Sequence, residues 1–69
     1  MMSKNALALH NRFLNSRKSF RTFVEDNIDT IEMKDLYDWR EDCKRGYDIE
    51  NLNWAINYKK QSLLKLWIE

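Results

Sequence analysis

Proline is missing from this chain altogether, and glycine, cysteine and histidine occur once each, as Gly46, Cys43 and His10. Each scarcity closes a class of function. A loop that cradles phosphates needs several glycines whose backbone can approach the ligand, and one is not enough. A disulfide framework needs at least two thiols, so Cys43 fits a reducing compartment. A zinc site needs three or four nitrogen and sulfur ligands, which one imidazole and one thiol do not supply. Neither a metal nor a cofactor is expected.

Long apolar runs are lacking too. No stretch approaches the ~20 residues of a membrane span, and Ala6–Leu9 is too short for the apolar segment of a secretory signal. No membrane association and a cytoplasmic location are therefore the expectation. The first 24 residues contain no acid and have Arg and Ser on an amphipathic pattern, as mitochondrial presequences do. Their removal would leave about 45 residues, near the lower limit for unassisted folding.

What is present is 69 residues, 43% apolar and 33% charged. That composition suits one small globular domain over residues 1–69, with a modest core. Strand formers are scarce, and no run alternates apolar and polar residues. The sequence predicts an all-α fold, a small bundle of three helices with four as the alternative.

The firmest helix lies between Asp29 and Gly46. Asp29, Thr30 and Glu32 supply N-cap and capping-box residues, Lys44 and Arg45 the last turn, and Gly46 a C-terminal glycine. Met33, Leu36, Tyr37, Cys43 and Tyr47 form its apolar stripe, flanked by Trp39, with Asp35, Asp38, Glu41 and Asp42 opposite. After a hinge at Gly46 and Tyr47, Asp48 is the N-cap candidate of a last helix. Its stripe is Ile49, Leu52, Ile56, Leu63 and Trp67, with Lys59 and Lys60 keeping their charges in water. In the first third, Ala6, Leu9, Phe13, Ser16, Phe20 and Phe23 follow a heptad seam. That favours one helix from Lys4 to Asp26, whereas Asn15, Ser16, Ser19 and a Thr22–Glu25 capping box favour a break. Leu9, Phe13, Phe20, Phe23, Leu36, Cys43, Leu52, Ile56 and Leu63 are the expected core.

Charge is segregated. Residues 1–24 carry Lys4, Arg12, Arg17, Lys18 and Arg21 and no acid; residues 25–42 carry eight acids against Lys34 and Arg40. The two segments should attract each other within or between chains. Catalysis finds little support. His10 lies on the basic side of the first helix with no carboxylate to orient it, and Cys43 belongs to an apolar stripe. Carboxylate pairs such as Asp35 with Asp38, without a loop to gather oxygens, read as solvated. An enzyme is not expected.

Two binding functions remain. Trp54 and Tyr58 stand four apart, away from the stripe of the last helix, and Trp67 adds apolar surface near the C-terminus. These three residues are the candidate contacts of a non-enzymatic regulator or inhibitor that occupies a surface of a larger protein. Its size is that of bacterial and phage accessory proteins. A homodimer or a subunit of a complex is the expected state. The alternative is a nucleic-acid-binding regulator that contacts phosphates through Arg12, Arg17, Lys18 and Arg21. The adjacent acidic segment works against it, since it would repel phosphates.

Overall fold

A computed structural model describes residues 2–43 and 46–68, without the side chains of 46, 47 and 66–68. The described residues form four helices and no strand: α1 (Lys4–Ser16), α2 (Phe20–Asp26), α3 (Met33–Asp42) and α4 (Gly46–Ile68). The all-α bundle is as expected, and the first third takes the broken form.

Local chemistry explains the break. The Ser16 hydroxyl donates to the Phe13 carbonyl at 2.6 Å and accepts the Lys18 N–H at 3.2 Å, closing the end of α1. Arg17 then adopts a left-handed conformation, φ 58° and ψ 20°, which reverses the chain at a steric cost for a non-glycine residue. Ser19 caps α2 by accepting the Thr22 N–H. Thr22 thus serves as a donor inside the helix instead of starting a box with Glu25. The seam survives this interruption. Ala6, Leu9 and Phe23 are buried and Phe13, Ser16 and Phe20 half-buried, because the short connection returns α2 to the same face.

The third helix begins later than its sequence signals suggest. Asn27 accepts the backbone N–H of Thr30 and of Ile31 on its carbonyl, and the Thr30 hydroxyl also donates there. Residues 27–30 are therefore a turn, and Ile31 drops into the core as a buried side chain. Glu32 occupies the N-cap position without a side-chain cap bond, so the Asp29–Glu32 box does not form. Burial of Ile31 outweighs a cap bond of about 1 kcal/mol. At the other end α3 stops at Asp42, with Cys43 extended. Gly46 is the first residue of α4 and not a terminator of α3. The expected hinge at Gly46 and Tyr47 is consequently helical, and Asp48 stands in the first turn of α4 instead of at its N-cap. Lys44 and Arg45, expected in the last turn of α3, lie outside the described residues.

Helix α3 packs on α4 and on α1, and α2 packs on α4. Between them lie Leu9, Phe23, Val24, Ile31, Leu36, Trp39, Leu52, Ala55 and Ile56. On α4 the buried set Leu52, Ala55, Ile56 and Lys59 has the spacing of one helical face. Two expectations for that helix need correction. Leu63 is 39% exposed, because a helix of 23 residues outruns its shorter neighbours. Lys59 is only 9% exposed. Its ammonium does not reach water along its stem but donates to the Ile28 carbonyl at 2.6 Å. That bond ties the α2–α3 connection to α4 and satisfies a backbone acceptor that the turn leaves open. Phe13, Phe20 and Cys43 are half-buried against the core.

The N-terminus is fastened to α3. The Asp38 carboxylate accepts the Ser3 backbone N–H, while the Ser3 hydroxyl caps α1 by accepting the Ala6 N–H at 3.1 Å. Hydrogen bonding from the Ser3 side chain and backbone holds the Asp38 carboxyl below its ordinary 3.8. The folded chain therefore takes up that proton less readily than the unfolded one. The contact adds stability above pH 3.8 and loses it as pH falls through the lowered value. Asp38→Asn is expected to flatten the acid limb of the melting-temperature profile, measured from about pH 2 to pH 6. A variant whose acid limb overlays that of the wild type would show that Asp38 does not contribute this slope.

Candidate interaction site

An ion pair joins the basic segment of the sequence to the acidic one within the chain. Lys18 pairs with Asp26 at 2.7 Å. Arg12 donates to Asn27 Oδ1 at 3.2 Å and Thr30 Oγ1 at 3.4 Å, with its guanidinium 6.0 Å from the centre of the Phe23 ring. Arg17 holds the left-handed position after α1. Arg21 lies over Trp54, its guanidinium carbon 4.9 Å from the ring centre. The four basic residues considered for phosphate contact are therefore spread over different tasks. Three of them already have a partner in the chain, and all four remain exposed. Exposed ion pairs such as Lys18–Asp26 contribute little to stability, so their structural meaning is placement more than energy.

Trp54 and Tyr58 are brought together as their spacing implies. Their ring centres lie 5.2 Å apart at an interplanar angle of 32°. Both are half-buried and pack against the core cluster. The pair is neither free on the surface nor enclosed: its inner edge meets the core, Arg21 covers part of the indole, and the rest is open. The i, i+4 spacing on α4 stacks the rings, and the packing of α2 on α4 delivers Arg21 to them. No family model matches this chain, and no curated protein or solved structure matches it either. A reading of function therefore stands on these side chains alone. The side chain of Trp67, the third candidate contact, lies outside the described residues.

Next along α4, Leu63 and Leu64 are exposed, and α1 exposes Leu7 and Leu14. Across α3, Arg40 donates to Asn53 Oδ1 at 2.7 Å. The Arg40 guanidinium carbon lies 5.1 Å, and the Lys60 ammonium 5.8 Å, from the Tyr37 ring centre. These cation–ring contacts hold the outer surface of α3 against α4. Among the described residues, no three His, Cys, Asp or Glu side chains group as metal ligands would. No described helix is long and apolar enough to cross a membrane.

The sequence placed His10 on the basic side of the first helix, among arginines. It turns inward instead, with its ring centre 4.9 Å from that of Trp39 and nearly perpendicular to it. Phe13 and Phe20 complete an aromatic group around Trp39. Periodicity places His10 at the edge of the α1 face, and only the packing of α1 on α3 decides which way that edge points.

Proposed function

We propose that this protein is a non-enzymatic interaction module that binds a surface of a larger protein through Arg21, Trp54 and Tyr58. One observation carries the reading: the three residue types most enriched at binding hot spots are stacked together, half-open, on one side of α4. Rings held by the core are already ordered, so a partner that covers them loses little side-chain entropy in doing so. Exposed Leu63 and Leu64 lie further along the same helix, away from the face that carries the stack. Occupation of the surface is the mechanism, as a regulator or inhibitor would use it. The engagement of Arg12 and Lys18 within the chain weighs against the nucleic-acid alternative.

The test uses the wild-type chain and a Trp54→Ala/Tyr58→Ala double variant as parallel baits, with captured protein identified by mass spectrometry and its affinity measured for both. The double variant is expected to keep a helical circular-dichroism spectrum and to bind about 2 kcal/mol more weakly, roughly 30-fold. Undiminished affinity in the double variant overturns the assignment. Sedimentation of the wild-type chain at micromolar concentration tests self-association separately, since a homodimer would appear there without any other protein.

A further inference from the structure

The aromatic group around Trp39 does more than fill the core. It borders a hollow of about 300 Å³ that opens where α1, α2, α3 and α4 meet. Phe13, Phe20 and Trp39 come to it from three different helices. Phe20 stands edge-on to both others, at 5.4 Å and 90° from Phe13 and at 5.6 Å and 88° from Trp39. Rings set at right angles offer both faces and edges to whatever enters.

The polar part of the lining is equally specific. Among the described residues it includes His10, Ser19, Asp48 and Asn51. His10 Nδ1 is buried without a hydrogen-bond partner among the described residues. That atom is closed off from solvent, so the imidazole borders the hollow as a ring and not through Nδ1. Asp48 and Asn51 add a carboxylate and an amide oxygen from α4.

We propose that this hollow binds a small aryl-alkyl ammonium compound, its ring among Phe13, Phe20 and Trp39 and its cationic head toward Asp48. An ammonium group has three N–H donors and no acceptor, which suits a lining that offers the Asp48 carboxylate beside the Asn51 amide. Ring faces attract a cation as well. A carboxylate ligand would be repelled by Asp48, whereas an ammonium is attracted to it. The volume lies at the lower end for small-molecule sites, which limits the ligand to one ring and a short tail. This site shares no residue with the Arg21–Trp54–Tyr58 surface, so either assignment can fail without the other.

Titration of isotopically labelled protein with 2-phenylethylamine, 2-phenylethanol and phenylacetate tests the proposal. The imidazole signals of His10 need no assignment strategy, because the chain has a single histidine. The amine is expected to shift them saturably, with the alcohol about tenfold weaker and phenylacetate without effect. Asp48→Asn should weaken the amine about tenfold and leave the alcohol unchanged. No saturable shift of His10 at ~10 mM amine, equal binding of all three compounds, or equal amine affinity in Asp48→Asn would each overturn it. Should Asp48→Asn fail to fold, the three-compound series on the wild-type chain decides the question alone.

Discussion

Replacement of Leu36 by alanine is expected to cost about 2–5 kcal/mol of unfolding free energy. Leu36 is fully buried, within the cluster that also contains Leu52, Ala55 and Ile56 of α4. Removing three carbons there leaves a cavity that helices from both sides would have to collapse to fill. Domains are stable by roughly 5–15 kcal/mol, and a chain of this length belongs near the bottom of that range. The variant should therefore be partly unfolded at physiological temperature. Urea denaturation followed by circular dichroism measures the effect, and Leu64→Ala, at an exposed position, is the control expected to stay within about 0.5 kcal/mol. A Leu36→Ala midpoint equal to that of the control would mean that α3 presents a different face to the core.

Trp39→Ala should be at least as damaging, at about 3–5 kcal/mol. The indole is buried and meets three rings, with centres at 4.9 Å for His10, 5.6 Å for Phe20 and 6.2 Å for Phe13. These contacts join α1, α2 and α3, so the loss is shared by three helices and not confined to one. Ring pairs contribute about 0.5–1.5 kcal/mol each beyond their buried area, though such values do not add for neighbours. Trp39→Phe keeps a ring and is expected to fall midway. The two variants, compared by denaturation, separate what a phenyl ring restores from what only the indole supplies. Equal loss in both would show that the ring and volume kept by phenylalanine recover nothing.

These residues also show how far the sequence could be read. Helical class and the buried seam of α1 and α2 were legible because periodicity reports which residues share a face. Ala6, Leu9 and Phe23 keep that face even across the break at Arg17. The break itself had a local signal, in Ser16 and Ser19, that competed with the heptad pattern. The start of α3 was misread because a cap signal at Asp29 competes with a tertiary demand, the burial of Ile31, that no local pattern expresses. Lys59 was misread for a related reason: its acceptor, the Ile28 carbonyl, lies far away in sequence and is brought near only by packing. In the candidate site, the Trp54–Tyr58 stack follows from spacing on one helix. Arg21 above it and His10 beside Trp39 are contacts between helices, and no spacing within one helix predicts them.

The dependence of the core on α4 has a consequence in time. Leu52, Ala55 and Ile56 complete a core whose other walls come from α1, α2 and α3. A ribosome that adds about 5–20 residues per second needs about one to three seconds to proceed from the end of α3 to Lys59. Throughout that interval Leu9, Phe23 and Trp39 exist without the helix that covers them. Once α4 is available, a helical topology of this kind closes in microseconds to milliseconds. Synthesis, and not folding, therefore sets how long the apolar seam exists without its cover.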